Sequence, residues 1–346
     1  MDIWTRLKSD SRPIVLYGTG NGADRVIDIL ERENIKISGI FSSAAFVRER
    51  FFRGIKVTDY ETCKREFPDM LVLMCFGSGR AEVLENVRKI SEENEILAPD
   101  VPVYGDNIFN TDFYNCHKEE LQKVRSALSD DISVKTLDNL IEFKLTGKIN
   151  LLFECEADNN DIADIPEKCV YLDLGAYNGD TVLEFTKKHK YSKIIAVEPD
   201  KRNFRKLTEN TSHLSDITLI NALISDSDNT VFFDTGKGRG AHESDKGKTQ
   251  VEAVSIDTII KKEKTTLKND KLIIKFDVEG NELKALRGAK DTIKEFSPLM
   301  FISCYHRSED YFTLPLKVLG INPHYKIYMR HYKGIPAWET EFIFVP

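Results

Sequence analysis

The stretch CVYLDLGAYNGDT (Cys169 to Thr181) carries residue types that could do chemistry at a useful spacing. An apolar run reaches Asp173, glycines at 175 and 179 flank a tight turn, and Thr181 opens an amphipathic segment. That pattern is a strand passing through a turn into a helix. Glycines let backbone N–H groups approach a ligand closely, and a helix N-terminus favours negative charge. Glu198 ends the next apolar run, in IIAVEPD, 23 positions beyond Gly175. An acid there accepts hydrogen bonds from both hydroxyls of a ribose. Together these features point to an adenosine-bearing ligand. The competing reading is an ordinary turn with two tolerated glycines and a solvated Glu198.

NAD and S-adenosylmethionine both satisfy this spacing. The turn places Tyr177 where the dinucleotide fingerprint wants a glycine for close approach to a pyrophosphate. A ligand without pyrophosphate does not need that contact, and Asp173 suits a cation such as the methionine ammonium. The residues favour S-adenosylmethionine.

A second glycine loop, IVLYGTGNGADRV, precedes this one. Gly18, Gly20 and Ala23 fit the G-x-G-x-x-G/A form after a strand. The following strand ends SGIFSS, with no acid at the ribose position, which weakens NAD. The loop resembles the sugar-nucleotide-binding domain of bacterial sugar acyltransferases, although those carry acids after that strand. Three readings stay open: a pocket for a nucleotide-sugar or other phosphorylated acceptor, a relic of NAD binding, or a scaffold for a homodimer.

The elements that must position these residues alternate. Residues 1–111 read as strand and helix in turn, with Val26, Ile29 and Leu30 on one helix face and FFRGIKVTD as an edge hairpin. Such alternation implies βαβ units around a parallel sheet. Residues 112–163 hold two successive amphipathic helices without strands, with Ser133 expected as an N-cap and Gly147 as a C-terminal stop. Residues 164–346 alternate again through VYLDLG, KIIAVEP, ITLINALIS, LIIKFDVEG and LMFISCYH. The last two strands, KIYMRHY and EFIFVP, leave no room for a crossover helix, so the sheet should close with an antiparallel strand. The excursion from Asn229 to Asp257 is rich in Gly, Lys, Asp and Ser at its core and reads as a loop, with GKGRG (236–240) as a possible lid. The expected fold is a smaller Rossmann-like α/β domain, a helical linker, and a doubly wound, mostly parallel sheet.

Composition bounds the classes. The 346 residues are 41% hydrophobic and 30% charged, with a net charge of -7, which disfavours a nucleic-acid binder. The longest apolar run, LVLMCF (Leu71 to Phe76), is far short of a bilayer crossing, and MDIWTRLKSDSRP has no signal-peptide core. Six scattered cysteines, none at CxxC spacing, fit a reduced cytoplasmic protein without structural zinc.

The turn, the VEPD strand end, SIDTII, and above all DVEGNELKALRGA (Asp277 to Ala289) resemble the FkbM family of S-adenosylmethionine-dependent methyltransferases. The resemblance runs from about Asp164 to the C-terminus, and CYHRSEDYFTLPLKVL is similar to family members with an N-terminal α/β extension. It implies a class I methyltransferase domain and an O-methyltransferase acting on polysaccharide, glycolipid or polyketide precursors. It further implies that Asp173, Gly175, Ala176, Tyr177, Asn178, Gly179, Glu198 and Pro199 line the cofactor, and that Ala222 and Leu223 flank the adenine.

For a methyl transfer to a hydroxyl the oxygen must be held in line with the departing sulfur, and its proton needs an acceptor. His306, in CYHRSED, is the expected base because its ordinary pKa lies near neutrality. Asp277 is the second candidate and also a candidate cofactor contact; its other role would be to orient the sulfonium or cap the helix that follows. Glu279 could simply favour that helix dipole. A metal site would enlist Asp277 and Glu279 with Glu309 or Asp310, but no spacing demands it. Arg330, His331 and Lys333 could hold an anionic acceptor, and Trp338 and Tyr332 are expected to pack. The competing functions are a non-catalytic S-adenosylmethionine-binding module and, further off, an NAD-dependent oxidoreductase using the first loop.

Overall fold

The structure, a computed structural model, describes residues 1–43, 51–157, 162–234, 242–243, 249–263 and 270–346. The GKGRG segment lies outside the described residues. The chain forms two compact units whose parts interleave along the sequence. One comprises Met1–Glu119, Asp131–Asn159 and Arg330–Thr340; the other comprises Glu120–Asp130, Asn160–Met329 and Glu341–Pro346. The sequence reading drew three consecutive segments instead, so the second linker helix and an eleven-residue stretch near the C-terminus fall in the first unit.

The first unit holds strands β1 (Ile14–Tyr17), β2 (Gly39–Phe41), β3 (Phe51–Phe52), β4 (Ile55–Thr58), β5 (Leu71–Met74) and β6 (Ile96–Leu97), in the order β3-β4-β2-β1-β5-β6. All pairs are parallel except the β3–β4 hairpin. Every residue of β1 and β5 is buried, because helices cover both faces of a parallel sheet. The helix Asn21–Arg32 buries Val26, Ile29 and Leu30, as its apolar spacing predicts.

Two linker expectations part ways. Gly147 takes φ +70° and its N–H donates to Phe143 O, so it stops the helix Asp131–Thr146 as expected. Ser133 does not cap it: the helix begins at Asp131, and buried Ser133 Oγ instead accepts from Arg330 Nη1 at 2.9 Å. Arg330 is itself buried, so it is a structural partner of that helix rather than part of an open anion site.

The second unit holds β7 (Cys169–Leu174), β8 (Lys193–Val197), β9 (Ile217–Ile220), β10 (Leu223–Ile224), β11 (Asn229–Asp234), β12 (His242–Glu243), β13 (Thr249–Val254), β14 (Lys271–Phe276), β15 (Leu299–Ser303), β16 (Lys326–His331) and β17 (Thr340–Val345). Seven of them form one sheet in the order β16-β17-β15-β14-β7-β8-β9. Its core strands are parallel, and β17 runs antiparallel beside β15, the closure that the short last connection required. The run ITLINALIS is not one strand. It breaks at Asn221–Ala222, and β10 joins β13, β11 and β12 in a separate small sheet. The order reverses between β7 and β14, and open α/β sheets place their ligands beyond the carboxyl ends of the strands at such a point.

Candidate active site

The turn after β7 is set by its backbone. Gly175 takes φ +83° and Gly179 φ +88°. A Cβ on Gly175 would stand 1.9 Å from the carbonyl oxygen of Asp277, so the ends of β7 and β14 touch only because residue 175 has no side chain. Tyr177, at φ +47°, and Glu279, at φ +53°, are non-glycine residues in the left-handed region, one beyond each of these strands. Such conformations cost about 1–3 kcal/mol each and concentrate at functional sites.

Glu198 lies just past β8 and is 5% exposed. Its Oε2 accepts the Tyr177 N–H and its Oε1 the Asp200 N–H, each at 2.9 Å. It thereby ties the glycine turn to the next strand end. Burial pushes its pKa up to about 7, against the pull of those N–H groups. A carboxylate offers about four lone-pair sites, and the two N–H groups together with the Asn203 side chain leave at least one of them open. Gly175 and Ala176 both donate to Val197 O, which fixes the turn's approach to β8. The Asn178 carbonyl accepts from Asn210 Nδ2 at 2.8 Å. Half-buried Pro199 and buried Ala222 flank Asn221, whose Nδ2 donates to Glu198 O at 2.8 Å and Pro199 O at 3.1 Å. Leu223 is buried in the small sheet.

Asp173 is fully buried. Its Oδ2 accepts from Thr181 Oγ1 at 2.5 Å, while Oδ1 has no hydrogen-bond partner. Lys275 stands opposite it in the β7–β14 ladder, with Nζ 3.7 Å from Asp173 Oδ1 and 3.3 Å from Asp277 Oδ2. The position expected to receive a ligand's ammonium therefore already faces a cation of the chain. Burial opposes the charge on Lys275, but Asp277 and Asp173 outweigh it and raise its pKa. Burial likewise raises Asp173, while Lys275 and Thr181 pull it down.

Around Asp277 the structure assembles more than the sequence reading named. Tyr305 Oη donates to Asp277 Oδ1 at 3.2 Å. His306 is fully buried; its Nδ1 lies 3.0 Å from Glu282 Oε1, and its Nε2 lies 3.5 Å from Glu279 Oε2 and 3.6 Å from Asp277 Oδ1. Burial would lower the imidazole, but Glu282, Glu279 and Asp277 prevail and carry its pKa up to about 10. At neutral pH it is an imidazolium, with no lone pair to take a proton. The geometry is thus at odds with the general-base role expected for His306. Asp277 is held below the ordinary carboxylate range: burial opposes this, and Lys275 and His306 overcome it. Its side chain is 29% exposed and that of Glu279 28%, against 1% for His306. The two carboxylates are open to solvent and the ring is not.

The acids proposed for a metal site are not gathered on one. Asp310 is buried, accepts the Arg307 N–H, and is raised by burial and the charge of Glu282, so it favours the neutral acid. No cluster of metal-binding side chains occurs among the described residues.

Residues 173–327 match a family model described as the Methyltransferase FkbM domain. The matched segment is a Methyltransferase FkbM domain. A crystal structure of Methyltransferase FkbM from Methylobacillus flagellatus KT is similar at a TM-score of 0.72 and 20% identity, covering 97% of this chain and 90% of that one, so the fold is shared over nearly the whole length. Aeropyrum pernix fibrillarin with bound S-adenosyl-L-methionine is a distant likeness, with a TM-score of 0.33 and 15% identity over 53% of this chain and 69% of that one. No curated protein matches the chain in sequence.

Within the FkbM domain, the sequence reading missed Lys275, Glu282 and Asn221. Lys275 had a visible signal: a lone lysine in the otherwise apolar run LIIKF, on a strand whose neighbours are buried. Glu282 had none, since an acid in the first turn of a helix is ordinary. Buried Glu282 accepts from the N–H groups of Val278 and Gly280 and so holds the left-handed turn at Glu279 from behind. Among the described residues no helix is long and apolar enough to cross a membrane.

Proposed function

We propose that the FkbM domain is an S-adenosylmethionine-dependent O-methyltransferase whose acceptor is a hydroxyl of a sugar or glycan precursor. The observation that carries the cofactor reading is Glu198: a buried carboxylate just past β8, tied through the Tyr177 N–H to a glycine turn that has a tyrosine where a dinucleotide turn has glycine. The residues fit the group. Glu198 would hold the ribose hydroxyls, the 175–179 turn the amino-acid portion, and Ala222 and Leu223 one face of the adenine. When bound, S-adenosylmethionine supplies a methyl already activated on a sulfonium.

The chain's own work is to bind, orient and remove a proton. Asp277 is the base: its carboxylate is ionised, part-exposed just past β14, and takes the acceptor's hydroxyl proton. Its low basicity is adequate because the hydroxyl becomes acidic as its oxygen bonds to carbon. His306 is a positioning residue that holds Asp277 and Glu279 through charge, and Lys275 holds the other carboxylate oxygen of Asp277. Two adjacent part-exposed carboxylates suit a polyhydroxylated acceptor, since each accepts hydroxyl hydrogen bonds.

Calorimetry with S-adenosylmethionine and S-adenosylhomocysteine, followed by a labelled-methyl screen of sugars and sugar nucleotides, tests this. Binding of both, lost in Glu198→Ala, is the expected result. No binding of either would remove the cofactor reading, and product methylated at nitrogen or carbon would remove the acceptor class.

A further inference from the structure

The first glycine loop belongs to the other unit, and the methyltransferase reading leaves it unused. Its glycines divide into two kinds. A Cβ on Gly18 would fall 2.4 Å from Phe76 Cδ1, and one on Gly22 would fall 2.3 Å from Cys75 O. Those two are glycines because the chain packs against itself. Gly20 is different: it takes φ +121°, and no atom lies within 4 Å of where its Cβ would stand. It is the N-cap of the twelve-residue helix Asn21–Arg32, and no side chain caps that end. The first N–H groups of the helix therefore open onto the space above Gly20, where the helix dipole favours an anion.

A second, independent feature faces the same place. Ser42 follows β2 directly and lies beside Gly18, because Tyr17 pairs with Phe41 and the Gly18 N–H donates to Phe41 O at 2.8 Å. Side chains alternate along a strand. Ile40 projects into the core cluster that holds Val26, Ile27 and Leu30 of the helix, so Ser42, two residues on, projects from the same face toward the helix N-terminus. Ser42 is 6% exposed, and its Oγ has no hydrogen-bond partner. A buried hydroxyl left unmatched loses its water without compensation, so it points to an absent partner. The one acid in the first helical turn, Asp24, is paired with Arg53 at 2.6 Å and so opposes an anion little.

We infer that this unit binds a phosphate ester, with phosphate oxygens on the N–H groups that begin the helix Asn21–Arg32 and on the hydroxyl of Ser42. An acid at the end of β2 would serve a ribose diol and repel phosphate; Ser42 does the reverse, donating its proton to an anionic oxygen. The ligand is a phosphorylated small molecule, either a nucleotide or a phosphorylated sugar.

The test is titration calorimetry on the full chain with inorganic pyrophosphate, glucose 1-phosphate and UDP-glucose, repeated on Ser42→Ala and Ser42→Asp. The expected result is binding of pyrophosphate or one of the esters, weakened about tenfold or more in Ser42→Ala, as for the loss of a hydrogen bond to a charged group. Ser42→Asp should abolish it while S-adenosylhomocysteine binding and the melting temperature stay as in the parent. UDP-glucose binding far tighter than glucose 1-phosphate assigns the ester to a nucleotide, and the opposite order to a sugar phosphate. No binding of any probe, or binding indifferent to both substitutions, overturns the proposal; the second outcome would mean that the hydroxyl of Ser42 is met by water alone.

Discussion

His306 Nδ1 stands 3.0 Å from Glu282 Oε1, and both side chains are sealed from solvent. The pair lies behind the turn that carries Asp277 and Glu279, and those two carboxylates close the other side of the ring. A histidine so enclosed is a fixed cation. The three carboxylates favour its charged form.

One consequence is a sign that stability measurements can read. The folded pKa of about 10 exceeds the ordinary 6.5, so the stabilisation is fully present below about 6.5 and is lost as pH rises through about 10. Denaturant melts between pH 6 and 10 should show stability falling, and His306→Gln should lose that slope. At pH 7 the variant should be destabilised by about 3–5 kcal/mol, because three carboxylates lose their shared cation. A parent kcat that drops with a single ionisation near 6.5 would restore His306 as the base.

Glu198 makes cofactor affinity depend on pH in the opposite sense. Its pKa of about 7 means that the free site is partly protonated at neutrality, whereas hydroxyl donors require the carboxylate. Binding should release a proton, and the affinity for S-adenosylmethionine should rise as pH increases through about 7. The effect belongs in kcat/KM and should be missing from kcat. Glu198→Gln should bind about 10–100-fold more weakly above pH 7, from lost bonds to a charged acceptor, and the gap should close at lower pH as the parent carboxylate is neutralised. For the free protein the raised pKa has a stability cost: stability declines as pH climbs from 4.5 through about 7, by up to about 3 kcal/mol.

Asp277→Asn keeps the shape of the side chain and removes the proton acceptor. The expected outcome is a fall in kcat of about 10²–10⁴-fold. The dissociation constant for S-adenosylhomocysteine should change far less. Equal losses in both would make Asp277 a binding residue alone.

Lys275→Met should leave Asp173 and Asp277 facing each other without their common cation, at about 3–5 kcal/mol. Adding Asp173→Asn to that variant should recover much of the loss, as chemical denaturation would show. A Lys275→Met protein as stable as the parent would mean that the two acids are already met by other groups.

The alternation of strands and helices, the antiparallel closure and the glycine turn were legible because each follows from local rules. Alternation of apolar runs names strands and helices, and a short final connection permits only an antiparallel return. Gly175 was legible as a glycine for a turn, but its deeper reason, contact with Asp277 O, involves a residue about a hundred positions away. The break of ITLINALIS into β9 and β10 was hidden, since its apolar run continues while the chain changes sheets. Ser133 looked like a cap because serine before an apolar run usually is one; the helix starts two residues earlier, and its hydroxyl serves Arg330 instead.

By itself the sequence determined which residues could meet a cofactor: an acid after one strand and a turn after its neighbour are set by position along the chain. Only the tertiary structure decided what His306 is. Its protonation depends on the distances to Glu282, Glu279 and Asp277, and electrostatic energy varies with separation in space, which the order of residues does not contain.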